Sequence, residues 1–317
     1  MDAQLLIAQK GMTYQPQILD GATFTTQRRS TPSKFECKIL KSNNFTPVEG
    51  AQIQFKWKGG NVFNGHVFTI SYDSGDEVSI TAYDQLRYLK NKDTYIYKNK
   101  TASQLIKMIA DDFNLSCGSI EDSAYNMSRV EDNKSLFDII ETALDETLRV
   151  QKKLYVFYDD FGKLTLKSLE NMKIVDALLC ENNAQDYQYS TTIDKDTYNK
   201  IKLYYDNGET GKRDLYITQD SDSMARWGTL QYYEKLSEGE NGKTKADALL
   251  KLYNAPTRTL SVENVTGDVR VRAGSLVLTK LDDLKISNYM LVEQATHTFE
   301  NSLHTMSLTL AGGALDG

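Results

Sequence analysis

A chain of 317 residues is long enough for two or more domains of ordinary size, each with its own core. Hydrophobic residues make up 40% and charged residues 25%, and 19 tyrosines with 11 phenylalanines against 4 prolines exclude a disordered or low-complexity chain. The 43 acidic and 37 basic residues give a formal charge of -6 without any long run of like charges, which excludes a specific nucleic-acid grip.

The first third predicts short strands at turn-bounded intervals, over 4–8, 34–39, 52–57 and 61–63. Val67, Thr69 and Ser71 then alternate with Phe68, Ile70 and Tyr72. Turn formers run from Asp73 to Asp76, after which Val78, Ile80 and Ala82 alternate with Ser79, Thr81 and Tyr83, giving a β-hairpin. This spacing predicts a small antiparallel barrel or sandwich, with tight turns at Gly50 and Gly59-Gly60. The stretch 27–33, with Arg28, Arg29 and Pro32, reads as a loop whose arginines are solvated or meet an acidic neighbouring chain.

From Thr94 the period changes. Thr101 stands three residues before Gln104 as a capping box, and Ala102, Leu105, Ile106, Ile109 and Phe113 share one face of a helix over 102–113. A second helix starts near Asn133, with Leu136, Ile140, Ala143, Leu144 and Leu148 as its apolar stripe. Leu154, Val156 and Tyr158 alternate into a turn at 159–162, and Leu164 and Leu166 lie on the return strand. Strands resume at 187–193 and 200–205, Asn207-Gly208 marks a turn, and SDSMARW (221–227) reads as a helical turn broken by Gly228. Thr244 caps a third helix with Ala246, Leu249, Leu250 and Tyr253 on one face, and 258–310 is all strand and turn.

The last segment can be laid over the first. Gly274 followed by Leu276 and Leu278 answers Gly50 followed by Gln52 and Gln54 in position, while the apolar phase fits better one residue on, at Ile53 and Phe55. Met290 to Ala295 answers Val67 to Tyr72, Met306 to Thr309 answers Val78 to Thr81, and the second copy is slightly longer at the tip Asn301-Ser302. The expected fold is α+β and mainly β: two similar small antiparallel β-barrels with an inserted α+β domain and a smaller helix-containing insertion. The expected domains are a first barrel over 1–92, the α+β insertion over 93–175, a second barrel over 176–205 and 256–317, and an insertion with hairpin and helix over 206–255.

The three histidines, His66, His297 and His304, sit in no nucleophile motif, and the latter two flank one hairpin tip without a third ligand at metal-binding spacing. The pairs Asp111-Asp112, Asp159-Asp160 and Asp282-Asp283 fall at helix ends or turns, where aspartate stabilises local backbone rather than flanking a cleft. DNGETGKRD (206–214) lacks the later ligands of a calcium loop, and GGNVFNG (59–65) opens no helix. Cys37, Cys117 and Cys180 are spaced for neither a disulfide framework nor zinc and read as reduced thiols. The expectation is no catalytic, cofactor-binding or metal residues and no cofactor. MDAQLLIAQK has no basic region followed by a long apolar run, and no apolar window spans a bilayer, so neither a leader nor a membrane anchor is expected.

The run from Phe63 through Gly65 and the hairpin to YDQLRYL (83–89) and NKTASQLI (99–106) resembles the hub proteins of contractile phage tails, the late-control D and XkdQ-type group, which includes the hub part of type VI secretion spikes. The resemblance implies a structural baseplate hub. Hubs of this group are trimers whose chains each supply two similar barrels, so three copies make a near six-fold ring that meets the tail tube above and a spike and other baseplate proteins below. The tape-measure protein would pass through the lumen, and the particle would be assembled in the bacterial host cytoplasm as a phage tail or phage-like baseplate. The alternative is a carbohydrate-binding or cell-wall-degrading tail protein, suggested by the many tyrosines and the acidic turns.

Overall fold

The computed structural model describes residues 2–180, 182–183, 186–208, 211–236 and 240–312. These residues are mainly strand with a few helices. The chain divides into two compact units, Met1–Tyr187 with Ser261–Leu310, and Gln188–Leu260 with Ala311–Gly317.

In the first unit, alternation decides which side chains enter the core. Every second residue is buried in Lys34–Leu40 (Phe35, Cys37, Ile39), in Gln52–Trp57 (Ile53, Phe55, Trp57) and in Glu77–Tyr83 (Val78, Ile80, Ala82). Their rings stack at the centre, Phe35 lying 4.9 Å from Phe55 and 5.3 Å from Phe63. The strands Ala22–Gln27, Lys34–Leu40, Glu77–Tyr83, Gly60–Tyr72 and Gln52–Trp57 lie side by side in that order, with Ala3–Gln9 beyond.

Gly60–Tyr72 changes partner midway: it pairs with Gln52–Trp57 as far as His66 and with Glu77–Tyr83 from His66 onward. At this hand-over a Cβ on Gly65 would sit 2.2 Å from the carbonyl oxygen of Tyr83. Backbone cannot yield as a flexible side chain can, so Gly65→Ala is expected to destabilise the fold by about 1–3 kcal/mol. A lower urea midpoint at unchanged slope would show it.

The same strand order recurs with Asp186–Thr192, Thr257–Thr266, Leu303–Gly312, Ile286–Glu300 and Leu276–Leu281. In both sets the spatial order is first, second, fifth, fourth, third of the chain order. The hydrogen bonds at the glycine turns also correspond. Ala51 N–H donates to Val48 O (3.2 Å), Gly50 N–H to Val67 O (2.8 Å) and Val67 N–H to Ala51 O (2.9 Å). Their counterparts are Ser275 N–H to Arg272 O (3.0 Å), Gly274 N–H to Val292 O (2.7 Å) and Val292 N–H to Ser275 O (2.9 Å). Gly50 and Gly274 both hold positive φ, 79° and 92°, which a side chain would resist. Val292 therefore answers Val67, two residues beyond the Met290 match read from the sequence. A shift of two leaves every side chain on its own face, so alternation cannot distinguish the two registers.

The α+β part of this unit has one core of Leu105, Ile106, Ile109, Leu136, Ile140, Leu164 and Leu166, among others. The helix α1, Ala102–Asp112, starts with the expected capping box of Thr101 and Gln104. The helix α2, Leu136–Gln151, starts at the Ser135 cap, later than the Asn133 expectation. The reason is that Met127–Ser135 continues as a strand against Lys92–Lys100 up to Ser135, and Asn133 takes positive φ at its bulge. The expected hairpin is Tyr155–Asp159 with Leu164–Ser168, extended by a parallel strand Cys117–Ile120.

In the second unit, Lys200–Asn207 runs between Lys212–Gln219, antiparallel, and Gln231–Lys235, parallel. The helix α3 is Ser221–Trp227, capped by Asp220. The helix α4, Gly242–Tyr253, is capped by Asn241, whose side chain accepts from Thr244 N–H. Thr244 is thus inside the first turn and not the cap, because asparagine three residues earlier supplies the acceptor. One sheet face packs Ile201 and Leu203 on Ala246 and Leu249 of α4.

Candidate interaction seam and strand edges

Ala22–Gln27 is flanked on one side by Lys34–Leu40 and on the other by the far end of Ile286–Glu300, from Gln294 opposite Gln27 to Phe299 opposite Ala22. This seam joins the two repeated strand sets within one chain. Arg28 strengthens it: its N–H donates to Glu293 O at 3.0 Å and its Nε contacts the Glu293 carboxylate at 2.7 Å. Thr26 Oγ1 accepts from Ala273 N–H at 2.9 Å, and the Thr25 and Thr296 hydroxyls meet at 3.3 Å. Arg29 pairs with Glu141 and Asp145 of α2. Both loop arginines therefore meet acidic groups of their own chain. The seam strand went unassigned in the sequence, where its signal is only Ala22, Phe24 and Thr26 alternating with two threonines.

Two edges correspond to this seam and lack a partner. The stretch 68–72 pairs with Glu77–Tyr83 on one side, while Gln52–Trp57 has run out by His66, so no described strand lies along its other side. It is the counterpart of the part of Ile286–Glu300 that receives Ala22–Gln27. The counterpart of Ala22–Gln27 is Asp186–Thr192, which ends the strand order beside Thr257–Thr266 and is largely exposed. Among the described residues, then, the chain holds one closed seam and two open edges that correspond to its two sides.

A buried polar cluster ties the first unit together. Asp84 of YDQLRYL caps a short helix, accepting from Leu86 N–H and Ser33 N–H, both at 3.1 Å. Gln85 Nε2 donates to Asp159 at 2.8 Å and to Ser116 O at 3.1 Å. Arg272 donates from Nη2 to Asp159 O at 2.8 Å, and its guanidinium lies 4.0 Å from the Tyr158 ring centroid. Burial and the charge of Asp159 push the Asp84 carboxyl up to about 8. Asp159, expected as a solvated turn residue, is buried and also accepts from Gly162 N–H at 2.6 Å. Nothing in a local turn pattern distinguishes a solvated aspartate from one covered by a distant arginine.

His297 and His304 do approach each other, His297 buried and His304 partly buried. His297 Nε2–H donates to Val271 O at 2.8 Å, leaving Nδ1 to accept from His304 Nε2–H at 2.8 Å. Both rings are neutral in this arrangement, and burial pulls each down to about 4. Each ring binds its proton more weakly folded than unfolded, so this contribution to stability is complete above about pH 6.5 and is lost as pH falls toward 4. Asp84 shifts the opposite way across the same range, so the two effects are separated by difference. His304→Gln is expected to flatten the pH dependence of the urea midpoint between 6.5 and 4 by about one proton's worth of slope. An unchanged slope would refute the assignment.

The other sequence candidates are scattered. Asp112 accepts from Tyr95 Oη at 2.9 Å. Asp206 pairs with Arg213 at 2.8 Å and Lys235 at 3.0 Å, and Glu209 and Thr210 of the supposed calcium loop lie outside the described residues. No group of three or more His, Cys, Asp or Glu able to hold a metal occurs among the described residues. Cys37 is buried and its thiol is pushed up to about 12, whereas Cys117 is exposed; all three cysteines are free. No helix among the described residues is long and apolar enough to cross a membrane.

The chain is 29% identical over 302 residues to the uncharacterized protein YqbQ of Bacillus subtilis (strain 168), covering 92% of this chain and 91% of that one. It is 28% identical over 301 residues, with the same coverage, to the phage-like element PBSX protein XkdQ of the same organism. Its fold is shared with a 43 kDa tail protein of prophage MuSo2 from Shewanella oneidensis, at a TM-score of 0.70 and 12% identity over 97% of this chain and 98% of that one. It is also shared with the E. coli c3393 protein, described as a type VI secretion component similar in structure to T4 tail proteins gp27 and gp5, at a TM-score of 0.55 and 12% identity over 97% of this chain and 75% of that one. A family model described as YqbQ-like matches residues 22–311, and the chain belongs to that YqbQ-like family.

Proposed function

We propose that this chain is a structural, non-enzymatic tail hub, three copies of which close a ring of pseudo-six-fold symmetry joining the tail tube to the spike and baseplate of a phage or phage-derived contractile particle. The observation that carries the reading is the repeated strand set with one closed seam and two complementary open edges. If Asp186–Thr192 of one copy adds to 68–72 of the next as Ala22–Gln27 adds to Gln294–Phe299 within the chain, each copy supplies two equivalent modules. Head-to-tail contacts of this kind close into a ring when the rotation allows, and three chains then present six like faces. The first module spans 1–92 and the α+β insertion 93–175; of the expected second module, 176–205 and 256–317, the stretch 200–205 instead forms the middle strand of the small insertion's sheet and joins 206–255. The names of the relatives, phage-element, prophage tail and type VI secretion proteins, support the same setting.

A lumen lined by acidic or neutral residues would let the tape-measure protein and DNA pass without electrostatic sticking. His297, His304, Asp112, Asp159 and Asp206 are each engaged in contacts within the chain, which supports a role carried by surfaces. Sedimentation of the purified chain tests the reading: a discrete trimer is expected, with no sugar released from cell walls. A monomer that releases sugar would replace it with the wall-degrading alternative.

A further inference from the structure

The three-stranded sheet of the Gln188–Leu260 unit is covered on one face by α4 and open on the other. Register decides what the open face carries. Tyr204 lies opposite Leu215 and Lys235, and Lys202 lies opposite Ile217 and Tyr233, so these side chains form two adjacent rows. Leu215 is 50% exposed, Ile217 52% and Tyr233 50%. Tyr204 and Tyr233 stack at 5.0 Å. The edge of this apolar centre is cationic: Arg213 sits 4.3 Å from the Tyr204 ring centroid and Lys202 5.7 Å from that of Tyr233, with Lys200 in the next row. Among the described residues the one carboxylate on the face, Asp206, already contacts both Arg213 and Lys235. Among the described residues, a chain of net charge -6 thus concentrates four cations against one anion around a bare apolar patch.

We propose that this face docks a short acidic amphipathic helix from a different polypeptide. Size argues for a helix. Three strands of this length present roughly 350 Å² at ordinary strand rise and spacing, below the roughly 800 Å² per partner of a stable globular interface. The opposite face of the same sheet already seats a helix of 12 residues. Charge selects the partner, because leucine-type side chains must meet Leu215 and Ile217 while carboxylates meet Lys200, Lys202 and Arg213. A second copy of α4 fits poorly, since it carries Lys243, Lys245 and Lys251 against Asp247. The proposal is independent of ring formation, and its test does not involve the seam edges.

The full chain is titrated with two synthetic helical peptides that share one leucine stripe, flanked by glutamates in the first and lysines in the second. The glutamate peptide is expected to bind at least tenfold more tightly than its lysine twin and to weaken several-fold as salt rises. Ile217→Glu, with unchanged circular dichroism, should abolish that binding. The double variant Lys200→Glu with Lys202→Glu should reverse the preference between the peptides. Equal binding of both peptides, or binding that survives Ile217→Glu, overturns the proposal. So does competition by a single-stranded oligonucleotide or by unstructured polyglutamate as strong as that of the helix, which would mean that the face responds to charge alone. Concentration-dependent self-association lost in Ile217→Glu, with no peptide binding, would assign the face to a second copy and overturn it as well.

Discussion

Arg272→Met is expected to destabilise the first unit by about 3 kcal/mol at neutral pH, because it leaves the buried Asp159 without its cation and its carbonyl without that donor. Arg272 faces Asp84, Asp159 and Asp160, and it bonds the Asp159 carbonyl directly. Asp84 can relieve part of the strain by holding a proton, since its carboxyl already sits at about 8 against an ordinary 3.8. A carboxyl raised in this way favours the fold below its unfolded pKa and loses that contribution as pH rises through about 8. Without the arginine the carboxyl is pushed further up, so the gap between variant and wild type should widen from pH 6 to 9. At neutral pH the melting temperature is expected to fall by about 10 °C. A variant within experimental error of wild type at pH 9 would show that the cluster does not act as one unit.

The second large effect concerns assembly. Tyr72 is 55% exposed and corresponds to His297, whose backbone lies opposite Phe24 in the closed seam. By that correspondence the Tyr72 N–H points away from Glu77–Tyr83 toward the open edge. Tyr72→Pro therefore removes a donor that the isolated chain does not use, and proline is tolerated on such an edge. In a ring the same donor is needed once per junction. Losing about 1 kcal/mol at each of three junctions should weaken the trimer by roughly a hundredfold. Sedimentation at graded concentrations measures this, and unchanged near-ultraviolet circular dichroism shows that each copy remains folded. A trimer as tight as wild type would place the junction elsewhere.

Much of the local structure was legible because it depends on short-range rules. The capping box at Thr101 and Gln104, the alternation of Phe35, Cys37 and Ile39, and the hairpins ending at Gly162 and at Asn301-Ser302 all follow from neighbours a few residues away. The start of α2 and the cap of α4 were misplaced by two to three residues, each where a competing partner intervened: a strand ladder to Lys92–Lys100 in one case and a better capping side chain at Asn241 in the other. The strands Lys92–Lys100 and Met127–Ser135 were missed. Their outward faces mix charge with isolated apolar residues, so neither period stands out, and Ile96 lies 73% exposed opposite Val130 at 69%.

The sequence by itself determined the mainly β character, the existence of a repeat and the helices, because side-chain periodicity and caps are encoded within a few residues of one another. Only the tertiary structure decided the register of the repeat, the seam formed by Ala22–Gln27, and the pairing of Arg28 with Glu293 and of Arg272 with Asp159. These join residues more than a hundred positions apart. A period-2 pattern looks the same after a shift of two, and the charge of a side chain says nothing about which distant group will cover it.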